Sequence, residues 1–204
     1  MVYNFMMLTQ KHENTESYLN FIEQCLQLGV NCVQFREKNI TQESLDFLLN
    51  LKKLLQSYNV SLIINDNIHL AKEINASGVH LGQSDDGVEV ARRVLGNNKI
   101  IGLSIEEESQ IAVANKLPVN YVGCSAVFPS KSKNNIKKFW GLNGLADMCR
   151  ESVHPVIAIG GINENNVYDV MQQGAAGVAV ISALHDSYNL KETVSKIKGG
   201  LWKN

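Results

Sequence analysis

The chain contains little of what marks a linker, a metal-thiolate module or a membrane protein. Its 204 residues include only three prolines and no low-complexity tract, and 45% are hydrophobic, so a disordered or fibrous protein is excluded and a large buried core is expected. Four cysteines, Cys25, Cys32, Cys124 and Cys149, show no CxxC spacing and no companion histidine cluster. They read as reduced, buried thiols in a cytosolic protein rather than as a disulfide framework or a zinc site. Nineteen basic residues are scattered against twenty acidic ones, for a net charge of −1. That balance leaves no electrostatic footprint for nucleic acid and no basic amphipathic segment for a membrane surface, so any anion must be caught locally. No apolar run approaches the ~18 residues of a membrane span, and the opening segment MVYNFMMLTQKHEN lacks a basic leader, so a cytoplasmic location is expected. No GxGxxG follows the first apolar run, which removes the usual dinucleotide fingerprint.

What the sequence does have is a repeated alternation. Short apolar runs suited to buried parallel strands occur at 2–8, 32–35, 60–64, 78–81, 99–104, 120–124, 155–160 and 176–182. Segments with helical spacing lie between them, such as Tyr18, Phe21, Ile22, Cys25 and Leu26 on one face, and others at 43–58, 86–96, 108–117, 144–153, 164–174 and 190–202. The segment NIHLAKEINAS gives a third helix of scarcely three turns. Eight strand–helix units with tight connections predict an α/β protein of the (β/α)8 TIM-barrel class, folded as one domain over residues 1–204, because parallel strands need helical crossovers and eight can close without an edge. About fifteen Pro-, Ser-, Lys- and Asn-rich residues after the sixth run are too many for a compact turn and suggest a lid or binding loop.

A barrel of this kind builds its site from the carboxyl ends of its strands. In QFREK, Gln34, Arg36 and Lys38 point one way and Phe35 and Glu37 the other; three polar heads on an inward face suggest an anion site, or else a barrel-interior ion pair or solvated strand end. The Gly160–Gly161 turn of IGGIN and the AVISA segment around Ile181 and Ser182 match the phosphate site that barrels often form after their last two strands. Ser130, Ser132 and Lys133 in the long loop can wrap a second anion, while Lys131, Lys137 and Lys138 are assigned to loop solubility. Asp66 and Asp85 follow neighbouring strands. Two readings stand open for them: a shared Mg²⁺, which takes one or two carboxylates plus diphosphate oxygens and water, or separate N-capping of the helices that follow. His80, inside GVHL, is read as a packed barrel residue rather than a base.

Together, QFREK, IND with LAKEINASGVHLGQSD, IGLS, YVG…FPSKSK, AIGGIN and VISA resemble the thiamine phosphate synthase family, in order and spacing, over nearly the whole chain. The resemblance implies a transferase that condenses 4-amino-2-methyl-5-(diphosphomethyl)pyrimidine with a carboxythiazole phosphate, releasing diphosphate and CO2. It further implies that the segment Gln34, Phe35, Arg36, Glu37 and Lys38, together with Asn65, holds the pyrimidine diphosphate. Asp66 and Asp85 would bind Mg²⁺, Ser104 would face the pyrimidine, and Lys133 would meet the diphosphate. Ser130 and Ser132 would contact the thiazole phosphate, and Gly161, Ile181 and Ser182 its phosphate. Arg36, Lys38, Lys133 and Ser104 are the expected catalytic set. The implied partners are these small molecules, with no nucleic acid or membrane, and a homo-oligomer is compatible with the sequence.

Three positions depart from the family pattern. Asn67 stands where a second aspartate is usual, Ser125-Ala126 where Gly-Pro is usual, and Asn135 where an aspartate follows the lid lysine. Two rival readings are kept: a thiazole tautomerase on the same barrel, whose histidine just past the fifth strand has no counterpart between His80 and His154, and a non-catalytic thiamine phosphate binding protein.

Overall fold

The apolar runs become parallel strands because each is buried on both faces, one against the barrel lumen and the other against a helix. The computed structural model describes residues 4–130 and 138–201. In chain order the elements are β1 Phe5–Leu8, α1 Thr15–Leu28, β2 Cys32–Phe35, α2 Gln42–Ser57, β3 Ser61–Asn65, α3 Ile68–Glu73, β4 Gly78–Leu81, α4 Val88–Leu95 and β5 Ile100–Ile105. They continue as α5 Ser109–Ala114, β6 Tyr121–Ser125, α6 Gly141–Glu151, β7 Val156–Ile159, α7 Val167–Gln172, β8 Gly177–Val180, α8 Ser182–His185 and α9 Leu190–Leu201. The strands pair in sequence order and close, β1 meeting β8 in parallel through Phe5 and Val178, so the expected (β/α)8 barrel is the observed fold. Among the described residues, no helix is long and apolar enough to cross a membrane.

Strand alternation sorts the core into two layers. Met6, Leu8, Cys32, Ile63, Tyr121, Ile157 and Ala179 fill the lumen, while Met7, Val33, Phe35, Ile64, Val79 and their neighbours pack under the helices. Gln34 lies two residues beyond Cys32 and so also points inward, buried, with its Nε2 donating to Met6 Sδ at 3.3 Å. The first two helices carry side-chain caps: Asn14 accepts from Ser17 N ahead of α1, and Thr41 and Ser44 form a capping box at the start of α2.

Several elements differ from the sequence expectation, α5 and α7 being shorter than the segments 108–117 and 164–174. α3 is only six residues long, because Asn75 turns into the left-handed region (φ 50) directly after Ile74. α6 begins at Gly141 rather than 144, since Trp140 is buried and the amides of Trp140 and Gly141 donate to the carbonyls of Ala126 and Val127. The four-residue α8 was not anticipated. It sits directly beyond β8, where it positions Ser182 at the barrel mouth.

Candidate functional site

The strand ends of β2 to β5 bring together the densest set of predicted residues. Asp66 has positive φ (65), and its amide donates to the His80 carbonyl of the neighbouring strand at 2.8 Å. This conformation carries its side chain over the barrel mouth, where its carboxyl is hydrogen-bonded to that of Asp85. Partial desolvation, then the hydrogen bond and the charge of Asp85, push the Asp66 carboxyl from 3.8 up to about 6; Arg36 and a hydrogen bond with Asn65 oppose the rise. Asp66 keeps part of its surface open to water, so this is a rim site rather than a core one.

The capping alternative fails for both aspartates. Asn67, not Asp66, caps α3, its Oδ1 accepting from Leu70 N at 2.9 Å. Gly87 occupies the cap of α4 without a side-chain bond, and Asp85 Oδ2 instead accepts from Gly82 N at 2.6 Å, folding the β4 end back on itself. The charge missing at Asn67 is therefore replaced by a helix cap, a task an amide oxygen performs as well as a carboxylate does.

Around the pair, Arg36 is half-buried, its amide donating to Thr9 Oγ1 at 3.0 Å, and Lys38 is exposed. Phe35 turns toward the helix layer and packs on Phe47 with ring centroids 6.1 Å apart. Glu37 accepts from Asn39 N at 3.2 Å in a local turn. Phe35 thus follows the alternation read from QFREK, away from Gln34, while β2 ends at Phe35 and Arg36, Glu37 and Lys38 lie beyond the strand. Ser104 is fixed twice: its carbonyl accepts from Gln83 Nε2 at 2.6 Å, and its hydroxyl lies 2.9 Å from His80 Nε2.

On the opposite side, Gly160 and Gly161 have φ of 99 and 64. A Cβ at Gly161 would lie 2.6 Å from the Pro129 carbonyl oxygen, so the glycine lets the loop after β6 close on the turn after β7. The Gly161 carbonyl accepts from Asn166 Nδ2 at 2.9 Å, which fixes the peptide's orientation. Ile181 packs against the lumen cluster, and Ser182 opens α8 with its side chain exposed. Ser130 is half-buried at the end of the described loop; Ser132, Lys133 and Asn135 lie outside the described residues. Lys138, assigned to solubility, is tied down: it pairs with Glu108 and sits 5.0 Å from the Trp140 ring centroid.

One relationship escaped the sequence reading. His80 does pack inside the barrel, but it touches the predicted site, bridging Ser104 and the Tyr121 hydroxyl. The signal was present in the alternation of GVHL, which puts His80 on the lumen face with Gly78; its partners required the register of β5 and β6.

These features define the class: a (β/α)8 barrel whose mouth carries a carboxylate pair beside an arginine on one side and a glycine-rich turn beside a short helix on the other. A family model described as thiamine monophosphate synthase matches residues 5–184, and the chain belongs to that family. The thiamine-phosphate synthase of Chlamydia caviae is 42% identical over 175 residues, 85% of this chain and 82% of that protein. That of Vibrio parahaemolyticus is 39% identical over 188 residues, 92% of each. Among solved structures, thiamine phosphate pyrophosphorylase from Pyrococcus furiosus superposes with a TM-score of 0.84 at 28% identity, covering 98% of this chain and 95% of that one. A 3-hexulose-6-phosphate synthase at 16% identity and TM-score 0.73 shares the fold alone.

Proposed function

We propose that this barrel is a cytoplasmic thiamine phosphate synthase, joining 4-amino-2-methyl-5-(diphosphomethyl)pyrimidine to 2-carboxy-4-methylthiazole ethyl phosphate and releasing diphosphate and CO2. The observation that carries the reading beyond family membership is the Asp66–Asp85 contact beside Arg36. A tautomerase acting on the thiazole phosphate alone has no use for that constellation. The residues fit a divalent cation: burial and the neighbouring Asp85 push the Asp66 carboxyl up, a cost that a cation relieves, and no third His, Cys, Asp or Glu among the described residues joins them. Two carboxylates with diphosphate oxygens and water are the donor set of Mg²⁺. When bound there, the ion supplies positive charge to the diphosphate as it departs.

The chain's own residues then divide the work. Gln34, Arg36, Lys38 and Asn65 hold the pyrimidine diphosphate, with Arg36 and Lys38, joined by Lys133, balancing the charge that develops as the C–O bond to the leaving group breaks. Departure of diphosphate leaves a pyrimidine-methyl cation, which Ser104 orients. Gly161, Ile181 and Ser182 hold the thiazole phosphate largely through backbone amides, with Ser130 and Ser132 along its length, so that the thiazole nitrogen faces the cationic carbon. The new C–N bond forms from the nitrogen lone pair; the carboxylate leaves as CO2, its bonding pair stays on the thiazolium C2, and a proton from water taken up at that carbon completes the product. No nucleophilic side chain takes part. Catalysis rests on charge balance and orientation.

The test is product formation by the purified protein with both substrates and Mg²⁺, each omitted in turn. Thiamine phosphate should appear only in the complete mixture. Interconversion of thiazole tautomers without thiamine phosphate would replace this reading with the isomerase one.

A further inference from the structure

We propose that His80 is a positioning residue for Ser104, with Tyr121 behind it, and that this three-residue chain aims the serine hydroxyl at the pyrimidine; the inference rests on the synthase reading above. His80 lies on the lumen face of β4, paired with Asn65 on β3 and Gly102 on β5. Its ring is gripped at both nitrogens, Nε2 standing 2.9 Å from Ser104 Oγ and Nδ1 2.9 Å from Tyr121 Oη. It also stacks on Tyr121, with centroids 5.5 Å apart and planes 26° from parallel.

The lumen is shaped for this ring. A Cβ at Gly102 would fall 2.2 Å from Tyr121 Cζ and 2.6 Å from His80 Nδ1, and one at Gly123 would fall 3.2 Å from His80 Cε1. Side chains at these two places on adjacent strands would displace the histidine or the tyrosine. The rest of the lumen cluster is apolar, Met6, Leu8, Ile63 and Ile157 among it, with buried Gln34 beside Met6 on the other side.

A serine hydroxyl alone has three rotamers and a freely turning proton. A neutral imidazole has one donor and one acceptor nitrogen, so its two hydroxyl neighbours are coupled. Tyr121, the more acidic hydroxyl, donates to Nδ1, and Nε2–H then donates to Ser104 Oγ. The proton of Ser104 is thereby left to turn toward an acceptor on the substrate, such as a pyrimidine ring nitrogen. Removing His80 frees both the rotamer and the proton.

A double-substitution cycle with purified full-length protein, both substrates and Mg²⁺ tests this. His80→Asn places an amide near the Nδ1 position but not the Nε2 position, whereas His80→Gln reaches the Nε2 position. His80→Asn should lower kcat/KM for the pyrimidine diphosphate about tenfold with the thiazole phosphate KM unchanged, while His80→Gln retains most of the activity. In a Ser104→Ala background, His80→Asn should cost less than about twofold, because its effect runs through the serine. Tyr121→Phe, which keeps the stacked ring, should behave in the same non-multiplicative way and decides the matter if His80→Asn does not fold. Costs that multiply, or equal losses for Asn and Gln, would overturn the role of His80 while leaving the synthase reading in place. Wild-type protein that forms no thiamine phosphate would remove that reading, and this inference with it.

Discussion

The carboxyl of Asp66 is hydrogen-bonded to the carboxyl of Asp85 across the ends of two neighbouring strands, and neither residue caps a helix. Each is held there by backbone: Asp66 by a left-handed turn whose amide bonds the His80 carbonyl, Asp85 by accepting the Gly82 amide. Two like charges held together at a barrel mouth are unfavourable unless a proton or a cation is shared between them. The local chain geometry therefore builds a carboxylate pair whose charge depends on pH.

The first prediction concerns that pH dependence. The folded Asp66 pKa is raised from 3.8 to about 6, so between those values the folded chain binds a proton that the unfolded chain releases. The contribution of this group to stability is present at low pH and is lost as pH rises through about 6. In Asp66→Asn the neutral amide mimics the protonated acid at every pH. Thermal melts without metal should show wild type losing ground against Asp66→Asn as pH rises through that window, and Mg²⁺ at neutral pH should raise the wild-type midpoint but not the variant's. A constant difference across the window, with no Mg²⁺ effect, would mean that the pair does not share charge as described.

Asp85→Asn separates the turn from the charge. The amide oxygen can still accept from Gly82 N, so the β4 end should keep its fold, while one negative charge leaves the pair. The Mg²⁺ needed for half-maximal activity should rise about tenfold or more, with little change in melting temperature. An unchanged Mg²⁺ titration would reduce Asp85 to its turn-forming bond.

Asn67 carries a third prediction. Because its Oδ1 caps α3, Asn67→Ala should cost about 1 kcal/mol of stability, a loss measurable by urea unfolding. Asn67→Asp keeps the cap and gains from the helix dipole, but it adds a third negative charge beside Asp66 and Asp85. It should fold as well as wild type and shift the Mg²⁺ titration. Equal loss of stability in both variants would show that the cap bond is not what Asn67 provides.

The strands were legible because barrel strands are buried on both faces and so read as unbroken apolar runs, and the alternation in QFREK correctly separated Gln34 from Phe35. α8 was not legible: SALH spans barely one turn, too short for any period to register. That neither aspartate caps a helix was hidden as well, since it turns on the sign of φ at Asp66 and on which of two adjacent polar residues faces the helix. His80 was placed in the barrel correctly, yet its contact with Ser104 depends on glycines in two other strands, a relation between segments that no single segment carries.

The last prediction tests the opposite side of the mouth. Gly161 sits at φ 64, where an alanine costs about 1–2 kcal/mol, and its new Cβ would approach the Pro129 carbonyl oxygen to 2.6 Å and Phe128 Cβ to 2.7 Å. Relief of that contact must move either the turn after β7 or the loop after β6, and both carry residues assigned to the thiazole phosphate. Gly161→Ala should therefore raise the KM for the thiazole phosphate several-fold more than the KM for the pyrimidine diphosphate. Gly174, also at positive φ (93) but at the far end of α7, provides the control: Gly174→Ala strains the backbone too while meeting Cys149 Cβ only at 3.4 Å. Destabilisation in both variants, with a thiazole-specific KM effect in Gly161→Ala alone, ties the β7 turn to that substrate. Equal KM effects on both substrates would detach Gly161 from the thiazole side.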